Sequence, residues 1–269
     1  MTEQDWLTCN DSIPMLEFLQ GSLSDAFDSL FDKTDAPSEG TPGLPSSKAT
    51  RRKLRLFACA CMRRVTGFGR ADQDHAIRIS EQYADGLVGR AALEEAFVPV
   101  RKLPEPIPYD ADFALSVFGP TDMVWEARLI EVFLTLGPEL DVRAVATKTA
   151  EIITHCEGAD YLSTRGRAER SQQAHLLRDI FGNPFRPVRL DPSCLNEKTR
   201  AIAETIYNEK TRAVAKTIYQ RGQFANLPRL ARALKKDAGC TNRELWDHCQ
   251  WPIQHVRGCW VVDLVLGKS

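Results

Sequence analysis

The spacing of apolar residues constrains this chain more than any other feature of its sequence. Apolar side chains recur at steps of three and four along most of its length, as on one face of an α-helix. Leu54, Phe57, Cys61 and Val65 follow this spacing over one segment. No convincing run alternates between apolar and polar residues, as a half-buried strand would require. The sequence therefore predicts an all-α fold, a multi-helix, bundle-like globular protein with short loops and little or no sheet.

Proline, glycine and serine interrupt the helical pattern at two places that bear on domain organisation. Residues 34–47 are rich in all three, and we expect a flexible, exposed loop near residues 34–50. Prolines at every second position of residues 104–108 form a rigid break. This break predicts an N-terminal helical part, residues 1–102, and a C-terminal helical part, residues 103–269, which we expect to pack as one unit.

A local duplication lies in the C-terminal part. Residues 197–208 have the sequence EKTRAIAETIYN, and residues 209–220 repeat nine of those twelve residues. Solenoids are built from longer units of about 20 residues or more, so the duplication does not predict a solenoid. If both copies form one helix, its second apolar face needs a partner element, a bend or exposure to solvent.

Charge and composition exclude several classes of protein. The formal net charge is −1, which gives no whole-chain electrostatic case for a nucleic-acid or membrane partner. The acidic N-terminus lacks the basic start and apolar run of a secretory signal, and no stretch approaches the roughly 18 to 20 apolar residues of a membrane span. Eight cysteines in 269 residues are too sparse for a disulfide-stapled fold. We therefore expect reduced thiols and a cytoplasmic protein without membrane contact.

A basic segment follows the acidic N-terminus. Residues 1–39 carry nine acidic groups against one lysine, whereas residues 40–71 carry eight basic groups and no acid. A cationic helix in this segment could contact an anion or a nucleic acid, and acids of the N-terminal segment could instead pair with it. The candidate contacts are Arg51, Arg52, Lys53, Arg55, Arg63 and Arg64.

The densest group of metal-type residues lies near the C-terminus. Cys240, His248, Cys249, His255 and Cys259 offer five potential ligands within twenty positions. Zinc takes four tetrahedral nitrogen or sulfur ligands, so a zinc-stabilised C-terminal module is one interpretation. The Cys-x-x-Cys pair typical of zinc knuckles is missing, and buried core thiols are the alternative. We expect no bound metal and no cofactor.

The sequence does not predict an enzyme. It lacks the Gly-x-Ser-x-Gly elbow, a phosphate-cradling glycine-rich loop and a His-Glu-x-x-His pair. The adjacent pairs His155-Cys156 and His248-Cys249 suggest thiol catalysis, but neighbouring side chains on a helix point about 100° apart. The leading interpretation is a non-catalytic helical module that recognises another protein. The alternatives are a nucleic-acid-binding accessory protein and the zinc-stabilised module.

Several strings resemble a family of uncharacterised bacterial proteins. They are LLRDIFGNPFRPV at residues 176–188, HVRGCWVVD at residues 255–263, and RKLRLFA at residues 52–58, together with Trp6 and residues near the N-terminus. The resemblance implies no reaction, cofactor or catalytic residue.

Residues 182–188 contain two prolines and Phe185, a composition that suits a rigid buried connection. We therefore expect this segment to pack against the C-terminal apolar run and to stabilise the fold.

Overall fold

The computed structural model of the chain describes residues 1–31, 47–65, 71–100, 132, 136–155, 164–189, 197–201, 224, 227–236 and 240–268. These residues form helices joined by turns and short loops, and no strand occurs among them. The fold class is all-α, as the apolar spacing predicted. The predicted break at residues 104–108, the duplicated copies beyond residue 201 and most of the predicted loop lie outside the described residues.

The helices follow one another in chain order. Those of the N-terminal region are α1 (Glu3–Thr8), α2 (Ser12–Phe31), α3 (Ser47–Val65), α4 (Ala71–Ala84) and α5 (Arg90–Phe97). Those further along are α6 (Val142–His155), α7 (Thr164–Phe181), α8 (Leu227–Lys236), α9 (Arg243–Gln250) and α10 (Trp260–Leu266). Because α3 begins at Ser47, the flexible loop predicted near residues 34–50 ends earlier than expected, and its last four positions are helical.

Helix α3 is the centre of the fold. It packs against α2, α4, α6 and α7, and every residue from Lys53 to Met62 is buried. The apolar stripe of Phe57, Ala58 and Cys61 is fully buried, as the spacing predicted. The opposite face is buried as well, which is the behaviour of a core helix rather than of a surface helix with one apolar stripe.

Buried apolar residues form two clusters. The larger one is built on α1 to α7 and includes Trp6, Phe57 and Phe97. The smaller one is built on α8, α9 and α10 and includes Leu230 and Val265. Helices α6 and α7 belong to the predicted C-terminal part of the chain, yet they pack on α2 and α3 in the larger cluster.

The segment after α7 connects both ends of the chain. Gly182 adopts a positive φ of 67°, and a Cβ atom there would lie 3.2 Å from the Cγ of Trp260 in α10. The indole N–H of Trp6 donates to the carbonyl oxygen of Gly182 at 2.9 Å. The half-buried ring of Phe185 stacks on Phe18 of α2, with 5.1 Å between ring centroids. The expected contact with the C-terminal run is therefore made through Gly182, whereas Phe185 packs against the N-terminal region.

Candidate functional site

Four side chains with metal-binding chemistry meet where the two apolar clusters join. Asp179 lies in the last turn of α7, His248 in the last turn of α9, His255 in the connection after α9, and Cys259 at the N-cap of α10. One potential ligand atom of each lies within 4.8 Å of those of the others. We call these four residues the Asp179 cluster.

The Asp179 carboxylate is the centre of the cluster. Its Oδ1 lies 3.0 Å from Nε2 of His248 and 2.6 Å from Nδ1 of His255. Its Oδ2 accepts the backbone N–H of Val256 at 2.8 Å. His248 Nε2 also lies 3.3 Å from the sulfur of Cys259. The Asp179 side chain is fully buried, so its carboxylate makes these polar contacts with protein groups and is shielded from solvent.

A glycine brings Cys259 to this position. Gly258 has a φ of 95°, a conformation that L side chains rarely adopt. A Cβ atom there would lie 3.0 Å from Cδ1 of Leu56 in α3 and 3.6 Å from Cγ2 of Ile180 in α7. The chain therefore turns sharply between two core helices, and the next residue places its sulfur beside His248.

The charges of the cluster are coupled. Burial alone would raise the pKa of Asp179, but hydrogen bonds from His248 and His255 outweigh it and lower the pKa to about 2. Burial lowers the pKa of His255, whereas the hydrogen bond and charge of Asp179 raise it, and the net shift is upward. The two shifts are reciprocal, because the Asp179 carboxylate stabilises the charged form of His255 and the hydrogen bonds from the histidines stabilise the charged form of Asp179.

The buried thiols are poor nucleophiles in this environment. Burial, with the Asp179 charge, raises the pKa of Cys249 to about 12 and that of Cys259 well above its usual range. Burial also raises the pKa of Cys59 to about 12. Since the thiolate is the attacking form, these groups do not support thiol catalysis at neutral pH. Of the two adjacent pairs considered in the sequence, His155-Cys156 lies outside the side chains described, and His248 contacts Asp179 and Cys259.

The structure regroups the five C-terminal residues singled out in the sequence. His248, His255 and Cys259 come together, whereas Cys240 and Cys249 pack in the smaller apolar cluster. Asp179 was missed because it lies 69 positions before its partner His248. One signal could have identified it: this acid stands inside the apolar string LLRDIF, where a buried carboxylate requires partners.

The strings that carry the family resemblance converge on the same region. Asp179 belongs to residues 176–188, while His255 and Cys259 belong to residues 255–263. The third string, residues 52–58, contributes the Leu56 side chain that faces Gly258.

A second buried network lies beside the cluster. The Asp85 carboxylate pairs with Arg257 and, at 2.8 Å, with Arg52, and Lys268 lies 3.4 Å from it. Arg52 also pairs with the fully buried carboxylate of Asp263 at 2.5 Å. These ion pairs connect α3, the turn after α4 and α10, so the network is part of the core of the fold.

Two of the six predicted anion contacts are buried. Lys53 and Arg55 are 5% and 7% exposed. Arg55 donates to the backbone oxygens of Leu136 and Gly137, both at 3.0 Å, and the Lys53 ammonium lies 5.6 Å from the centre of the Phe181 ring. Burial lowers the pKa of both residues. Neither side chain is presented to an external phosphate.

Three more of the six form internal ion pairs. Arg52 pairs as described above, Arg63 contacts Glu81 at 2.9 Å, and Arg64 contacts Glu169 at 2.6 Å. Arg51 is the exposed member of the six. The basic segment that the sequence isolates is therefore directed largely into the protein.

The acids of the N-terminal segment pair elsewhere. Among the side chains described there, Glu3 contacts Arg186, Asp11 contacts Arg170, and Glu17 contacts Arg143. The partners given above for Arg52, Arg63 and Arg64 come instead from α4, α7, α10 and the turn after α4. The expected pairing between residues 1–39 and the basic helix is replaced by these contacts in the described part of the chain.

A cleft of about 590 Å³ borders the Asp179 cluster. His255 belongs to the cluster and also lines the cleft. Trp251 lines the cleft as well, and 40% of its surface is exposed. The other lining residues are Arg64, Phe224, Pro228, Cys249, Gln250, Pro252, Ile253 and Gln254. The wall therefore combines aromatic rings, prolines and amide side chains.

Comparisons with known proteins return no match. No protein family model matches the chain, and no curated protein or solved structure is detectably similar to it. Within the described residues, no helix combines the length and apolar character needed to cross a membrane.

Proposed function

We propose that this chain is a non-catalytic helical module that recognises another protein. The observation that carries the proposal is the cleft at Trp251, a concave surface lined by aromatic rings and prolines. Tryptophan is enriched among the residues that contribute most to protein–protein binding, because a large ring fills a pocket at little cost in conformational entropy. Here the ring is 40% exposed, whereas Trp6 is fully buried in the larger cluster and Trp246 and Trp260 pack against the smaller one.

The charges of the basic helix favour this proposal over nucleic-acid binding. Affinity for nucleic acid depends on cations that are free to neutralise phosphates. Arg52, Arg63 and Arg64 already neutralise carboxylates of the same chain, and Lys53 and Arg55 are buried. A nucleic-acid partner would have to compete with these internal contacts.

The thiol chemistry supports a role without catalysis. The described thiols beside a histidine are buried, and burial raises the pKa of both Cys249 and Cys259. A buried neutral thiol neither attacks a substrate nor exchanges readily with solvent. The cleft also borders His255, but the ring nitrogens of that residue already face Asp179 and the backbone oxygen of Trp251.

Affinity capture from a nuclease-treated lysate of the source organism tests the proposal. The immobilised full chain is compared with Trp251→Ala at the cleft and with Leu87→Ala, a matched control whose side chain is 65% exposed elsewhere. Gln250→Lys, an exposed change on the cleft wall, is the second test variant if Trp251→Ala lowers the melting temperature. We expect a protein retained by the wild type and by Leu87→Ala to be depleted about tenfold in the cleft variants. Equal retention of proteins by all variants would contradict the proposal. So would a parallel capture from untreated lysate in which nucleic acid is the only material retained.

A further inference from the structure

We propose that Asp179, His248, His255 and Cys259 form a closed structural site for Zn²⁺. The proposal is independent of the partner that the cleft recognises. The four side chains offer one carboxylate oxygen, two imidazole nitrogens and one sulfur. Zinc binds all three types of ligand and takes four of them in structural sites. The mixed set excludes magnesium and calcium, which require oxygen ligands.

The separations between ligand atoms suit a small tetrahedral ion. Ligands at the usual zinc distances of about 2.0 to 2.3 Å lie about 3.3 to 3.6 Å apart around a tetrahedron. The separations from His248 Nε2 to the Asp179 oxygen and to the Cys259 sulfur are 3.0 and 3.3 Å. The His255 Nδ1 to Asp179 distance is 2.6 Å, and all pairs lie within 4.8 Å. To receive the ion, His255 Nδ1 and the Asp179 oxygen would have to move apart from 2.6 Å to about 3.3 Å.

The groups around the ligands orient them as metal sites require. His255 presents Nδ1 to the cluster, and its Nε2 faces the backbone oxygen of Trp251 at 3.2 Å. A carbonyl behind a ligating imidazole accepts its second N–H and so fixes the tautomer that leaves the other nitrogen free for metal. The Asp179 Oδ2 is held by the backbone N–H of Val256 at 2.8 Å, which leaves Oδ1 directed at the histidines.

The position of Cys259 favours a metal-bound thiolate. This residue is the N-cap of α10, its side chain makes no capping hydrogen bond, and its sulfur lies 3.3 Å from Nε2 of His248. The fully buried sulfur has no solvent to stabilise its charge, so a cation beside it is the natural counter-charge.

The charge balance of the buried site is neutral with zinc bound. An ionised Asp179, a Cys259 thiolate and two neutral imidazoles carry two negative charges, which Zn²⁺ cancels. Zinc ligands must be neutral imidazoles and a thiolate, so the Cys259 thiol proton, and any second proton on His255, pass to solvent when Zn²⁺ binds. No oxidation or reduction is involved.

The arrangement assigns the ion a structural role. Four protein ligands fill a tetrahedral coordination sphere and leave no open position for a substrate or an activated water. Asp179 belongs to a helix of the larger apolar cluster, while the other ligands come from α9, the connection after it and the start of α10. Zinc would therefore fasten the smaller cluster of α8 to α10 onto the main helical body.

The sequence led to the expectation of no metal because it offered a different ligand set. That expectation considered Cys240, Cys249, Cys259 and a histidine as the ligands, a thiolate-rich set in an apolar stretch without the Cys-x-x-Cys pair typical of zinc sites. The structure replaces two of these thiols by Asp179 and a second histidine, and it supplies the surrounding donors that the local sequence does not reveal.

Cobalt(II) substitution in the full chain tests the site and identifies its ligands. Co²⁺, supplied during refolding of metal-free protein, should give the intense visible bands of tetrahedral cobalt and a near-ultraviolet thiolate-to-cobalt band, both bleached by one equivalent of Zn²⁺, the tighter-binding ion. Cys259→Ser should abolish the thiolate band, and His255→Ala should weaken cobalt binding at least tenfold. Cys249→Ser, a matched loss of a buried thiol outside the cluster, should retain both bands. Absence of tetrahedral bands in the wild type, or loss of the thiolate band in Cys249→Ser but not in Cys259→Ser, would overturn the proposal.

Discussion

The guanidinium of Arg52 lies 2.5 Å from the carboxylate of Asp263, although the two residues are 211 positions apart in the chain. The Asp263 side chain is fully buried, and the free-energy cost of burying this pair is offset in part by the hydrogen bonds that Arg52 also donates to Asp85. The contact ties the central helix α3 to the C-terminal helix α10. An arginine that the sequence offers as a surface contact for anions is therefore a core partner for two aspartates.

Substitution of the adjacent residues Arg51 and Arg52 tests whether the basic segment stabilises the core or only covers the surface. We expect Arg52→Ala to lower the free energy of unfolding by about 3 to 5 kcal/mol, because it leaves the buried Asp263 carboxylate without this partner. The exposed neighbour gives the control, since Arg51→Ala should change stability by no more than about 0.5 kcal/mol. Urea unfolding of the three proteins at pH 7 measures the difference. Similar small effects of both substitutions would show that the Arg52 ion pairs do not stabilise the core.

The Asp85 network predicts a specific dependence of stability on acid. Burial raises the pKa of Asp85, but the nearby charges of Arg257 and Arg52 lower it by more than burial raises it. The pKa of Asp85 in the folded protein therefore lies below the ordinary 3.8. A lowered carboxylate pKa contributes stability that is present above the unfolded pKa and is lost as the pH falls through the folded pKa. Asp85→Asn should therefore lower stability at pH 7 and reduce the loss of stability on acidification below about pH 4.

The urea midpoint measured from pH 7 down to the acid limit tests this dependence. Asp247→Asn provides the control, because Asp247 forms an ion pair with Arg243 in which both side chains are well exposed. We expect the control to follow the wild type closely. An acid-side slope in Asp85→Asn equal to that of the wild type would rule out Asp85 as a source of the acid sensitivity.

Part of this fold was predictable from local sequence, and the reason is periodicity. The stripe of Phe57, Ala58 and Cys61 reports which face of α3 is buried, and the structure confirms it. Periodicity does not report how many helices surround that face. Lys53 and Arg55 follow a polar pattern and are nevertheless buried, because α3 is covered on all sides and Arg55 finds backbone oxygens after α5.

Three of the four residues of the candidate site could be singled out from the sequence, for a related reason. His248, His255 and Cys259 stand close together in the sequence, so their shared chemistry was apparent. Asp179 comes from another helix, and only the packing of α7 against the C-terminal helices brings it 2.6 Å from His255. Local spacing also gave equal weight to Cys240 and Cys249, whose side chains the fold directs into an apolar cluster. A ligand set assembled across long separations requires the tertiary structure.

Two glycines with positive φ allow a test of the turn that positions Cys259. Gly258→Ala should destabilise the protein more than Gly86→Ala, since Gly86 has a φ of 70° and open space around its Cβ position. The control change should cost about 1 to 2 kcal/mol of backbone strain. The excess at Gly258 reflects the 3.0 Å approach to Leu56, so it should shrink in a Leu56→Ala background. Thermal and urea unfolding measure all four variants, and equal costs for the two glycines would contradict this role for the close contact.

The zinc content of the full chain, purified under reducing conditions without chelator, tests the central claim most directly. The proposed Asp179 cluster predicts one zinc per chain by elemental analysis, retained in Cys249→Ser and lost in Cys259→Ser. Because a structural metal contributes to folding, a strong chelator should release that equivalent and lower the melting temperature. A wild-type protein that contains no stoichiometric zinc, takes up none when it is supplied, and melts at the same temperature with and without chelator would contradict the metal centre and leave the cluster as a buried hydrogen-bond network.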